Sequence, residues 1–174
     1  GSANAGAPAP CTVTSASLSL MAMTNLWRFN QSNNLDGISW MATNYDDSAW
    51  QSGRGLLAYE TSAWITPLLG TTLLAPVAPP PGLSSGPAYY FRAAVVVTND
   101  LAGYTLNARI RLDDCCVIYI NGEEFSRPRM PDGVITNRSF GGGAVGSNTD
   151  ADVDELFTIP TSRLHAGTNI IAVE

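Results

Sequence analysis

Apolar and polar residues alternate strictly along two stretches of the chain. Over residues 15–20, Ala16, Leu18 and Leu20 alternate with Ser15, Ser17 and Ser19, the period of a strand with one buried face. Over residues 104–112 the pattern is longer. Tyr104, Leu106, Ala108, Ile110 and Leu112 are predicted to face a core, and Thr105, Asn107, Arg109 and Arg111 to face solvent. Runs rich in aromatic and β-branched residues over 88–98, 115–120 and 169–173 predict three further strands. Asn121-Gly122, directly after Ile120, predicts a hairpin turn. Helical signals are few. Asp46-Asp47-Ser48 ahead of Ala49-Trp50 predicts one short capped turn, and no long segment keeps a helical period. Many short strands separated by turn signals predict an all-β sandwich.

Residues 67–87 interrupt this pattern. They hold six of the eleven prolines, including Pro79-Pro80-Pro81. Strands resume at once beyond them, so they read as a long loop inside one domain rather than a linker. The predicted organisation is an N-terminal extension over residues 1–24, carrying the strand 15–20, followed by a β-sandwich over residues 25–174. A chain of 174 residues is long enough to bury a core of its own.

Charge narrows the function classes. The net charge is −6, and all nine basic residues are arginine. Without lysine there is no Schiff-base chemistry, and the acidic balance argues against nucleic acid. No run approaches the ~20 apolar residues of a membrane span. The first ten residues are small and uncharged, which suits an exported protein whether they are a linker or a processed terminus.

Candidate chemistry is thin. The single histidine, His165, sits in a Leu-His-Ala-Gly turn and reads as a surface residue. No Gly-x-Ser-x-Gly elbow, His-Glu-x-x-His helix or phosphate loop occurs. The sequence therefore predicts a protein that is not an enzyme. Three acidic clusters, at residues 46–47, 113–114 and 150–155, read first as solvated turns. Asp150, Asp152 and Asp154 rank highest for a structural calcium ion, and no other cofactor is expected. Tyr59 and Trp64, beside the irregular region, are the candidate glycan-stacking aromatics, whereas Trp27, Trp40 and Trp50 read as core. Cys115 and Cys116 are neighbours and poorly placed to bridge each other. Cys11 paired with either, within or between chains, is the natural disulfide, and three buried thiols are the alternative. The sequons at Asn30 and Asn137 read as chance occurrences.

Four stretches together resemble a family of bacterial extracellular modules with a galactose-binding-like jelly-roll fold. They are Tyr45-Asp46-Asp47-Ser48-Ala49-Trp50-Gln51-Ser52-Gly53, then Tyr90-Phe91-Arg92. The third runs from Asp113-Asp114 through Val117-Ile118-Tyr119-Ile120-Asn121-Gly122 to Met130-Pro131-Asp132-Gly133. The last is Leu164 to Glu174, ending Ile171-Ala172-Val173-Glu174. The resemblance implies a jelly-roll sandwich, appended to larger secreted proteins, with a presumed role in carbohydrate binding or adhesion. This sequence departs from the pattern at Cys115-Cys116, where small residues are usual. The family also continues past the Ala-Val-Glu strand with a closing strand.

Two functions follow as expectations. In the first, the sandwich lacks its closing strand, and Ile170 and Ala172 lie on an open edge. The strand carrying Ala16, Leu18 and Leu20 then complements that edge in a neighbouring copy, giving a secreted or surface-bound homopolymer locked through Cys11. In the second, the chain is a carbohydrate-binding accessory module of a larger secreted protein.

Overall fold

The computed structural model describes residues 17–78, 81, 86–141 and 154–174. Among them are ten strands and two short 3-10 turns, with no α-helix. The strands are β1 (Leu26–Asn30), β2 (Gln51–Arg54), β3 (Leu57–Ala58), β4 (Thr71–Thr72) and β5 (Tyr90–Val97). They continue with β6 (Leu106–Ile110), β7 (Ile118–Ile120), β8 (Glu123–Ser126), β9 (Glu155–Ile159) and β10 (Gly167–Val173). The fold is all-β, as the alternation predicts.

Six strands form one sheet in the order β2-β1-β5-β10-β7-β8, and β6 and β9 form a second. The β6 pattern is seen in its burial: Leu106 is buried, Asn107 and Arg109 are exposed, and Leu112 beyond the strand is buried again. Leu106 joins Val97 and Leu101 in a core cluster between the two sheets, packed by Ile159 of β9 and by Tyr104 and Leu164. A neighbouring cluster of Leu112, Cys116 and Ile118, with Phe125 and Val173 against it, extends that core. The opposite face of the large sheet is covered along part of its length. There Leu35, Trp40 and Trp50 close over Tyr90, Val117, Tyr119 and Ala172, with Trp40 meeting Tyr90 and Tyr119 edge-on at ring separations of 5.0 and 5.7 Å. Trp40 and Trp50 are thus core residues as expected, while Trp27 is half-buried.

The Asn-Gly turn joins β7 to β8, with Ile120 opposite Glu123. Asn121 and Gly122 both take positive φ, 53° and 88°, the geometry that matches the twist of a two-residue hairpin. Asp46-Asp47-Ser48 likewise forms a turn, in which the Ser48 N–H donates to Asp46 Oδ1 at 3.0 Å and the Trp50 N–H donates to the Asp47 carbonyl at 2.9 Å.

Two expectations for assembly are corrected. Strand β10 pairs antiparallel with β5 along its whole length and with β7 over Ile171–Val173. Ile170 and Ala172 therefore sit inside the sheet, not on an open edge. The Ile-Ile-Ala-Val run gives no sign of which neighbours it has, because a strand buried on both faces reads the same wherever it lies in the sheet. The second correction concerns the donor strand. Residues 17–20 form no strand, and Leu18 and Leu20 pack onto the Val97–Leu106 cluster of their own chain. Their alternation survives in burial without a backbone ladder, since an extended segment can seat every second side chain on a core without pairing. Ala16 and Cys11 lie outside the described residues. Cys115 and Cys116 are both thiols. Burial, with the neighbouring Cys115 and Glu155 adding to it, pushes Cys116 up to about 12, so it stays protonated and unreactive.

Candidate functional site

The sheet order brings three segments far apart in sequence to one place. Residues 31–34 follow β1, residues 74–77 follow β4, and residues 87–89 lead into β5, which lies beside β1. With the turn at residues 136–139 they enclose a groove of about 470 Å³. Its polar lining includes Gln31, Asn33, Asn34, Asn137 and Arg138, with Tyr89 beside them. Leu74, Val77 and Pro87 supply an apolar wall. Leu74 and Val77 are largely exposed. No carboxylate, histidine or cysteine is among the described lining residues.

Local hydrogen bonds hold this arrangement. Asn30 Oδ1 accepts from the N–H groups of Ser32 and Asn33, both at 3.1 Å, and so shapes the turn that presents the amides. Gln31 Oε1 accepts from the Leu74 N–H at 3.2 Å, and the Tyr89 hydroxyl donates to the Leu74 carbonyl at 2.8 Å. These two bonds clamp the apolar wall to the strands. Across the groove the Asn137 N–H donates to Asp36 Oδ1 at 2.7 Å, and the Ala88 N–H to the Asn137 carbonyl at 2.7 Å. Asn30 and Asn137 are both buried, so neither sequon presents its side chain to solvent.

The residues singled out from the sequence lie elsewhere. Tyr59 and Trp64 are 46% and 67% exposed, as stacking residues should be, yet neither lines the groove. Tyr59 follows β3, whose Leu57 and Ala58 run parallel to Thr71 and Thr72. Trp64 precedes the 3-10 turn Thr66–Leu68. Asp150 and Asp152 lie outside the described residues. Asp154, proposed with them for calcium, is bound by two guanidinium groups, Arg109 at 3.3 Å and Arg111 at 2.9 Å. Its charge is matched within the chain, and a cation there would have to displace both. His165 is exposed. Glu123 and Glu124, after the hairpin turn, pair with Arg163 and Arg127 at 2.7 and 2.6 Å.

A second concavity, about 480 Å³, lies over β1, β5 and β10 and is lined by Arg28, Tyr45, Asp47, Arg92, Ala94 and Ile170 among others. Its charged groups are engaged in holding the loop of residues 40–50: Arg92 binds Asp47 at 2.7 Å, and Arg28 donates to the Trp50 carbonyl at 3.2 Å. That makes it a joint of the fold more than a receptor for a ligand.

Glu174 has a distinctive environment. Burial, reinforced by the negative charge of Asp36 and partly opposed by a hydrogen bond from Tyr119, raises its carboxyl to about 7. The folded state therefore binds a proton that the unfolded state, at 4.5, has released. The contribution to stability is complete below about 4.5 and is lost as the pH rises towards 7. The ceiling is about 3 kcal/mol, and partial exposure of the carboxyl reduces it to about 1 kcal/mol. Urea denaturation at pH 5 and pH 8 should show this fall, and Glu174→Gln should flatten it. An unchanged slope in the variant would place the pH dependence elsewhere.

The groove residues were missed because their signal is weak. The run Asn30-Gln31-Ser32-Asn33-Asn34 is rich in amides, but nothing in it points to residues 74–89 or 137–138.

No family model matches the sequence, and no curated protein matches it. Solved structures similar to the chain include a beta-glycosidase from Bacteroides vulgatus, at 14% identity and a TM-score of 0.49, covering 86% of this chain and 16% of that one. A beta-glucuronidase from an uncultured Clostridium sp. is 15% identical with a TM-score of 0.47, covering 86% and 20%. A glycosyl hydrolase family 2 member from Bacteroides cellulosilyticus DSM 14838 is 14% identical with a TM-score of 0.49, covering 88% and 17%. The chain thus spans a fifth or less of the length of these structures.

Proposed function

We propose that the chain is a non-catalytic, carbohydrate-binding module of a larger secreted protein, and that the groove between residues 31–34, 74–89 and 137–138 takes the sugar. The observation that carries this reading is the groove's lining: amides, a guanidinium and a tyrosine together with an apolar wall. Sugars present rows of hydroxyls that both donate and accept, and apolar C–H faces between them. A side-chain amide offers both a donor and an acceptor, and the Leu74, Val77 and Pro87 wall suits the C–H face. The lining favours binding over hydrolysis, because glycoside cleavage uses a pair of carboxyl groups flanking the bond and none is among the described lining residues. The fibre expected from the sequence loses support, because Leu18, Leu20 and both sides of β10 are used within the chain.

A glycan array followed by titration calorimetry on the bound oligosaccharides tests this. Asn33 and Asn34 are exposed; Asn34 Oδ1 also accepts from the Asp36 N–H at 2.8 Å, so melting curves of the Asn33→Ala and Asn34→Ala variants separate a lost contact from a disturbed turn. Each should weaken binding about five- to ten-fold, the worth of about 1 kcal/mol for a lost hydrogen bond. Trp64→Ala should leave binding unchanged. Loss on Trp64→Ala with none at Asn33 or Asn34 would move the site to the exposed aromatics, and an array without hits would reject the reading.

A further inference from the structure

Arg138 is the one charged residue among the described lining residues of the groove. It stands on a turn that is tied down at several points. The Ser139 N–H donates to the Thr136 carbonyl and the Thr136 N–H to Ser139 Oγ, both at 2.8 Å. The adjacent Asn137 N–H is anchored on Asp36 Oδ1 at 2.7 Å. The turn fixes where the Arg138 backbone stands, and so sets the point from which its guanidinium reaches the groove.

We infer that the groove is selective for acidic glycans, with Arg138 gripping a sugar carboxylate while Gln31, Asn33 and Asn34 take neighbouring hydroxyls. The inference rests on the carbohydrate-binding reading above. Neutral hydroxyls are already served by the amides. The guanidinium adds something they lack: a planar fork of donors that meets the two oxygens of a carboxylate together. Arg138 also interacts within its own chain, and a guanidinium carries five N–H donors. No carboxylate is among the described lining residues, and the Asp36 carboxylate beside the groove is engaged by the Asn137 N–H at 2.7 Å. The net charge of −6 opposes approach only at long range, and physiological salt screens charges beyond about 8 Å. Selectivity at this site is therefore a short-range property of one side chain.

The test uses the full chain and matched pairs of probes: galacturonate, glucuronate-containing and alginate oligosaccharides, each beside its carboxyl-reduced neutral counterpart, with neutral oligosaccharides on the same array. At least one acidic probe should bind ten-fold or more tightly than its reduced partner, the usual margin of a charge-assisted hydrogen bond. That margin should shrink with added salt, vanish in Arg138→Gln and survive in part in Arg138→Lys. Melting curves of both variants confirm that the fold is retained. Equal binding of acidic and reduced partners, or a preference that persists in Arg138→Gln, would overturn the inference and leave the carbohydrate reading standing. Binding of no probe, acidic or neutral, would overturn both.

Discussion

Replacing Arg92 with methionine is expected to destabilise the domain by about 3–5 kcal/mol, the combined cost of a lost half-buried ion pair and three carbonyls left without their donor. Arg92 is only 2% exposed, and every part of its head group is used. Nε pairs with Asp47 Oδ2 at 2.7 Å. Nη1 donates to the Trp40 and Ala42 carbonyls, and Nη2 reaches the Tyr45 carbonyl at 3.5 Å. The guanidinium lies 5.3 Å from the centre of the Tyr45 ring. One side chain on β5 thus fixes the whole loop that carries Trp40 and Trp50 over the sheet. Methionine fills the space but strands the Asp47 carboxylate and three carbonyls. Lysine has one point of charge and cannot replace a fork, so Arg92→Lys should recover less than half of the loss. For a chain of this length, 3–5 kcal/mol corresponds to a fall in Tm on the order of 10 °C. Urea denaturation measures the energy, and a double-mutant cycle with Asp47→Asn isolates the pair. A loss below 1 kcal/mol would mean that the loop holds its position by packing alone.

Asn169→Leu should cost about 3 kcal/mol. Asn169 is fully buried and bonded through both ends of its amide. Its NH₂ donates to the His165 and Gly167 carbonyls at 2.8 and 3.1 Å. Its Oδ1 accepts from the His165 N–H and from Asn121 Nδ2, both at 2.9 Å. Asn121 also donates to the Arg163 carbonyl at 3.0 Å and accepts from the Ile170 N–H at 2.9 Å. Two asparagines therefore lock the β7–β8 turn to the loop entering β10. Leucine takes the amide partner from three backbone groups and leaves Asn121 Nδ2 only its bond to the Arg163 carbonyl, at about 1–3 kcal/mol for each group that stays dry and unpaired. Asn169→Asp keeps the shape but turns a carboxylate towards two carbonyls, so it should be no better. Asn169 and Arg92 lie opposite Val95 and Ala172 on paired strands, three residues or about 10 Å apart, so their effects should add. A strongly non-additive double variant would show that the two sites are coupled through the sheet.

Both predictions concern residues inside the sequence motifs, and they show what those motifs are for. The Asp-Asp-Ser-x-Trp turn and the Tyr-Phe-Arg strand meet through Asp47 and Arg92. The Val-x-Tyr-x-Asn-Gly hairpin and the final strand meet through Asn121 and Asn169. Each motif is half of a joint, and a joint is invisible when its halves are read separately. Asp154 shows the same limit from the other side: beside its acidic neighbours it suggested a cation site, but the structure supplies Arg109 and Arg111 from β6 and the residue that follows it.

Local chemistry alone was enough to determine the all-β class, the face that β6 buries, the Asn-Gly hairpin and the aromatic core around Trp40 and Trp50. These depend on side-chain alternation and on backbone angles that only certain residues adopt, both of which act over a few positions. Tertiary structure decided the rest. It placed β10 between β5 and β7 and seated Leu18 and Leu20 on their own core. It also gathered Asn33, Tyr89 and Arg138 around one groove. The reason is that a strand's hydrophobic period states which face is buried but not which strand lies beside it, and neighbours more than 50 residues away are chosen by the packing of the whole sheet.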